Sequence, residues 1–162
     1  MSYSIVYSSK TGNTAQLAQT IASVLPAGSW CGAPDPAAAA AETIFVGFWT
    51  DKGSCDESIA AFLCSLQNKK VFLFGTAGFG GDPAYFDQIL DRVQTNLPAG
   101  NTVIGRYMCQ GKMPMAVRAR YEAMAAQDAQ KFQPMLDNFD RALSHPDAAD
   151  LAALAEAVRG CL

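Results

Sequence analysis

Ser2–Tyr3–Ser4–Ile5–Val6–Tyr7 runs directly into Ser8–Ser9–Lys10–Thr11–Gly12–Asn13–Thr14. From Ala15 to Leu25 the apolar residues Leu17, Ile21, Val24 and Leu25 recur at helical spacing, and Pro26–Gly28 stops the pattern. A β-rich run, a hydroxyl-rich turn and a helix start in direct succession make an anion site. Backbone N–H groups and the positive end of the helix dipole converge on one spot. The hydroxyls of Ser8, Ser9, Thr11 and Thr14 add donors, Lys10 adds a positive charge, and a phosphate monoester is the ligand such a loop fits. The competing reading is a capped turn in which Ser and Thr satisfy the helix's own N–H groups. The spacing of an NTPase P-loop and the Gly-x-Gly-x-x-Gly dinucleotide fingerprint are both absent from the stretch.

Strand and helix patterns alternate beyond it. Ser29–Cys31 reads as a short second strand, and Pro34–Ala41 as a loop or stunted helix. Thr43–Phe48 is a third strand, apolar without alternation, as expected when both faces are covered. A helix over Ser58–Leu66 follows, then a strand over Lys70–Gly75, a helix over Pro83–Val93 and a strand over Thr102–Met108. Residues 114–143 read as one or two helices interrupted near Pro134, and Asp150–Val158 as a terminal helix. Strands alternating with helices predict an α/β three-layer sandwich. Its five-stranded parallel sheet is covered by helices on both faces through right-handed crossovers. The 162 residues suit one such domain.

Composition narrows the function. Half of the residues are hydrophobic and 17% are charged, which is globular rather than disordered. A net charge of −3 gives no broad nucleic-acid surface, and no apolar run is long enough to span a membrane. The chain enters a strand without a charged n-region, so no signal peptide and a cytoplasmic location are expected. Cys31, Cys55, Cys64, Cys109 and Cys161 form no Cys-x-x-Cys pair, and His145 is the sole histidine, so no metal site is expected. The cysteines read as reduced thiols, and His145, just before Pro146, as a surface turn residue. No nucleophile–base–acid set supports hydrolysis.

In an open parallel sheet, ligands lie beyond the carboxyl ends of the strands. Ser8–Thr14, Phe48–Gly53, Thr76–Asp82 and Cys109–Lys112 all fall there. Trp49 presents a flat apolar face to a ring-shaped ligand, or else packs over the sheet end as core; Phe48, its neighbour, points into the core. Gly75–Thr76–Ala77–Gly78–Phe79–Gly80–Gly81–Asp82 carries four glycines, which allow close backbone approach and positive φ. Phe79 either covers the ligand or is an incidental hydrophobe. Asp82–Pro83 reads as an N-cap and first helical residue. Cys109–Gln110–Gly111–Lys112 is either a solvated loop or a segment in which Lys112 attracts an acidic partner.

Tyr7–Ser8–Ser9–Lys10–Thr11–Gly12–Asn13–Thr14 resembles the FMN-phosphate loop of the flavodoxin family, Ser/Thr-x-Thr-Gly-x-Thr. The likeness extends over most of the chain, in placement more than in letters. It implies the sheet order 2-1-3-4-5, noncovalent FMN, and electron transfer between a reductase and an acceptor protein by a monomer. By the resemblance, Ser9, Thr11, Gly12, Asn13 and Thr14 hold the phosphate, with Lys10 lending its backbone N–H. Phe48, Trp49 and Thr50 flank the ring. The backbone of Thr76, Ala77, Gly78 and Gly80 tunes it, and Phe79 covers the second face. The Trp-Thr-Asp-Lys-Gly and Cys-Gln-Gly-Lys segments are similar to short flavodoxins of anaerobic bacteria, some of which accompany bilirubin reduction. Two alternatives stay open: an FMN-dependent reductase of a small substrate such as a quinone, and a scaffold that has lost the flavin.

The chain departs from the family pattern in three respects. Thr50 stands where many members have Gly soon after the aromatic, and a β-branched residue resists the positive φ that turns a peptide towards the reduced flavin. Lys10 and Lys52 bring positive charge where members commonly carry acids, and a cation there makes the flavin easier to reduce. The chain as a whole is also less acidic than many members.

Overall fold

The computed structural model describes every residue except Gly81, so the part of the glycine-rich segment at that position lies outside the described residues. Strand β1 (Tyr3–Tyr7) leads through the quoted turn into α1 (Asn13–Val24), then β2 (Trp30–Gly32) and a 3₁₀ turn over Pro36–Ala40. β3 (Thr43–Asp51), β4 (Ser54–Cys55) and α2 (Glu57–Cys64) follow, then β5 (Lys70–Ala77), α3 (Pro83–Gln94) and β6 (Thr102–Gln110). Three helices close the chain: α4 (Met115–Gln127), α5 (Ala129–Ala142) and α6 (Ala148–Arg159). The main sheet runs β2-β1-β3-β5-β6, all parallel, which is the expected 2-1-3-4-5 connectivity once β4 is set aside.

The uninterrupted apolar strands bury both faces. Ile44, Val46 and Phe48 of β3, with Val71 and Leu73 of β5, meet Ile59, Leu63, Ile89 and Val93 from α2 and α3. Phe45, Phe72 and Phe74 face the other way, against Leu17 and Ile21 of α1 and Leu154 and Val158 of α6. Two glycines make room for rings on the neighbouring strand. A Cβ on Gly47 would lie 2.3 Å from the Phe74 ring, and one on Gly75 would lie 2.4 Å from the Phe48 ring.

The structure corrects five boundaries. β3 continues past Phe48 to Asp51, and the expected loop is a hairpin in which Thr50 pairs with Cys55 and Asp51 with Ser54. Its two turn residues, Lys52 (φ 52°) and Gly53 (φ 80°), are both left-handed, as a two-residue hairpin turn requires. The sheet therefore has six strands rather than five. β5 and β6 each run two residues beyond expectation, to Ala77 and Gln110. The helical break falls at Asp128, whose side chain accepts from Lys131 N and caps α5, while exposed Pro134 sits within α5. The last helix starts at Ala148, where Asp147 and Asp150 form a capping box.

Candidate functional site

Gly12 ends the first turn at φ 86°, a conformation in which an L side chain is strained, and gives α1 no side-chain cap. The first intrahelical bond is Gln16 N–H to Gly12 O at 3.1 Å, and Ala15 N–H donates to Ser9 Oγ at 3.3 Å. The N–H groups of Asn13 and Thr14 belong to the first turn, which has no acceptor of its own within the helix. The capped-turn reading therefore accounts for Ser9 alone. The Thr14 hydroxyl does not face the loop: Thr14 is fully buried, donates to Phe48 O at 3.0 Å and lies 3.3 Å from Thr76 Oγ1. It ties α1 to the sheet and leaves its backbone, rather than its hydroxyl, to a ligand.

Beside this turn lies a solvent-open cleft spanning about 560 Å³, open solvent included. Lys10, Thr11 and Asn13 form one side, Trp49 and Thr50 at the end of β3 a second, and Thr76, Ala77 and Gly78 the floor. The remaining wall is Gly111, Lys112, Met113 and Pro114, with Val117 from α4. Gly111 and Lys112 belong to the Cys109–Lys112 segment expected at this end of the sheet, whereas Met113, Pro114 and Val117 carry no ligand signature in the sequence.

The cleft is braced by bonds between distant segments. Asn13 Nδ2 donates to Lys112 O at 2.9 Å, and Thr11 Oγ1 reaches the same oxygen at 3.4 Å. Lys112 N–H donates to His145 O and Gly111 N–H to Ala77 O, at 3.0 and 2.9 Å. Thr50 Oγ1 donates to Thr76 O at 2.8 Å. Gly78 O accepts from Gln110 Nε2 at 3.0 Å and Asn138 Nδ2 at 3.1 Å, and Gln110 Nε2 also bonds Asn138 Oδ1. Gln110 is thus a brace rather than part of a solvated loop. Asn13 is 6% exposed, yet its Oδ1 has no partner among the described residues.

Several expected residues lie elsewhere. Phe48 is wholly buried over Gly75 and does not line the cleft. Phe79, 38% exposed, lies with Gly80 on a separate groove beside Tyr85, Pro134, Met135 and Asn138. Phe79 is thus absent from the lining of the cleft that Trp49 walls. None of Gly75, Gly78 and Gly80 has positive φ; close approach is their role, with a Cβ on Gly78 meeting Met113 Sδ at 2.5 Å. Ser8 and Ser9 open onto a further depression at the same turn, with Ala33, Pro34 and Ser58.

The electrostatics are one-sided. Lys10 Nζ sits 5.0 Å from the Trp49 ring centroid, a cation–π distance, and among the described residues Lys10 and Lys112 are the only charged ones in the lining. Burial pushes the Cys109 thiol well above the ordinary range, with Asp150 and Asp147 adding to it, and burial also raises Cys55. Neither thiol is poised as a thiolate. His145, Asp147 and Asp150 come within 4.8 Å of one another, but the two carboxylates are engaged at the start of α6, and His145 Nδ1 lies 2.6 Å from Asp150.

A family described as a flavodoxin domain matches residues 4–159. The flavodoxin-like domain-containing protein BilS of Clostridium symbiosum is 40% identical over 174 residues, covering 94% of this chain and 92% of its own. Among solved structures, a short-chain flavodoxin associated with a non-canonical PDU bacterial microcompartment superposes with TM-score 0.62 at 17% identity, covering 99% of this chain and 97% of its own. A Lactobacillus acidophilus flavoprotein in complex with FMN gives TM-score 0.52 at 16% identity, over 66% of this chain and 92% of its own. At those identities the two structures speak for the fold.

Proposed function

The chain belongs to the flavodoxin domain family, and on that footing we propose that it binds FMN in the cleft and passes electrons between a reductase and an acceptor protein. The observation that carries the reading is the first turn of α1, uncapped by Gly12 and opening beside a cleft walled by an indole. The residues fit the cofactor. An unpartnered buried amide oxygen such as Asn13 Oδ1 costs about 1–3 kcal/mol, which a ligand donor relieves. A flat, largely apolar ring suits the Trp49 face.

Bound there, FMN supplies the redox chemistry; the chain supplies binding, orientation and electrostatics. The Asn13 and Thr14 N–H groups, the helix dipole and the hydroxyls of Ser9 and Thr11 hold the phosphate. Trp49 takes one side of the ring, while Met113, Pro114 and Val117 form an apolar wall that keeps water from it. Gln110 and Asn138 fix the Gly78 carbonyl and with it the backbone at the cleft floor. We place this traffic in the cytoplasm of an anaerobe, on the resemblance to short flavodoxins of such bacteria. Among the described residues no helix is long and apolar enough to cross a membrane.

Titration of the flavin-free chain with FMN and with riboflavin tests the reading. FMN fluorescence should be quenched stoichiometrically, and riboflavin, lacking the phosphate, should bind at least about tenfold more weakly, or 1.4 kcal/mol. Equal affinities refute the phosphate site, and no uptake refutes the function. Rapid reduction by NADPH without a reductase would make the chain a flavoenzyme rather than a carrier.

A further inference from the structure

Resting on that reading, we propose that the mouth of the cleft is a docking face for a redox protein whose own face is acidic. The chain carries net charge −3, yet the cleft lining holds Lys10 and Lys112 and no carboxylate. Both lysines are exposed, and neither is ion-paired among the described residues. The carboxylate at the end of β3, Asp51, is half-buried and followed at once by exposed Lys52. Other acids of this end lie outside the lining: Asp82, exposed at the start of α3, accepts from Ala84 N–H, and Asp147 and Asp150 cap α6. The charge on the lining itself is therefore positive on a molecule that is negative as a whole.

Apolar surface adjoins these charges. Pro114 is exposed and Met115 is 65% exposed, directly after Lys112 and Met113. A small basic patch with exposed Met and Pro, next to a half-exposed indole, has the make-up of a weak transient interface. Its occupant is argued from charge. A second copy docking symmetrically would bring Lys10 and Lys112 of both chains together, which disfavours self-association through this face. A partner with an acidic face gains attraction on approach, and local rather than net charge sets the encounter rate when the reacting edge lies inside the patch.

The sign of the salt dependence separates local from net charge. The FMN-bound chain, reduced by two electrons, is mixed with ferricyanide. Each of two ferricyanide ions takes one electron and becomes ferrocyanide, and the protons held by the reduced flavin pass to solvent. The rate should fall about three- to tenfold between about 10 and 300 mM salt. With basic ferricytochrome c, which takes one electron per haem, the rate should stay flat or rise. The opposite pair of trends, which net charge −3 alone demands, overturns the proposal, as does a flat ferricyanide rate. In a Lys10→Gln/Lys112→Gln variant that still binds FMN, the fall with ferricyanide should vanish. It should persist in Lys131→Gln, which alters a remote exposed charge on α5.

A readout independent of electron transfer uses hexacyanochromate(III), a redox-inert paramagnetic trianion. It should broaden the amide signals of Lys10, Lys112 and Met115 before others. Broadening confined to Thr76–Gly78 would mean a small anion entering the cleft, and would overturn the docking face. A chain that takes up no FMN refutes function and face together, whereas an FMN-bound chain with reversed salt trends refutes the face alone.

Discussion

Gly111→Ala tests how tightly the two halves of the cleft are joined. A Cβ at Gly111 would lie 2.4 Å from Asn13 Nδ2 and 2.8 Å from Asn13 Cγ, about 1 Å inside ordinary contact. The Gly111 backbone is not left-handed, so the cost is steric rather than conformational. Asn13 lies at the start of a buried helix turn and cannot swing freely, so its amide must leave Lys112 O, 2.9 Å away. Overpacking of this kind costs about 1–3 kcal/mol, and the lost hydrogen bond about 0.5–1.5 kcal/mol. The sum, about 1.5–4.5 kcal/mol, lowers Tm by roughly 3–18 °C in a chain of this size. Because Asn13 and Lys112 both line the cleft, FMN affinity should fall about tenfold or more as well. Thermal unfolding of the flavin-free chain reads the first effect and fluorescence titration the second. In an Asn13→Ala background the same substitution should cost at least about 1 kcal/mol less, because the colliding amide is gone. Unchanged Tm and affinity, or equal losses in the two backgrounds, would refute the collision.

Trp49→Ala removes the aromatic wall and should weaken FMN binding by about 2–3 kcal/mol, roughly 30- to 150-fold, while restoring flavin fluorescence; titration measures both. Thr50 is held in β3 by its pairing with Cys55 and by its bond to Thr76 O, so the 50–51 peptide does not turn over. Photoreduction should then pass from the oxidised to the fully reduced spectrum without a red-absorbing band, and a strong band there would overturn the idea. The Asp147 carboxyl is held below its ordinary value of 3.8, chiefly by the Asp150 N–H. A depressed carboxyl stabilises the fold above its unfolded pKa and loses that contribution as pH falls through its folded pKa. Asp147→Ala should therefore lower Tm at pH 7 but have a shrinking effect as pH falls below about 4; an effect constant with pH would refute the cap's charge dependence.

Much of the fold was legible because its signals are local. Thr43–Phe48 and Lys70–Gly75 are apolar without alternation, and in the structure each sends successive side chains to opposite helical layers. The misread boundaries lie where local patterns carry two meanings. Phe48–Gly53 looked like a loop because it holds charged residues and glycine, but Lys52–Gly53 alone turns, and the residues before it pair in a sheet. Pro134 looked like a break, yet the Asp128 cap decides where α5 begins.

By itself, the sequence determined the strand–turn–helix from Tyr3 to Val24 and the order in which strands and helices alternate. Turn chemistry and hydrophobic periodicity act over a few residues and are written in consecutive letters. Tertiary structure alone decided what faces Trp49. Asn13 and Lys112 are 99 positions apart and meet only because parallel strands bring every βα turn to one end of the sheet. The same packing sends Phe79 to a different groove and leaves Lys10 over the indole. No periodicity reaches that far; the wall of the cleft is a property of the packed sheet.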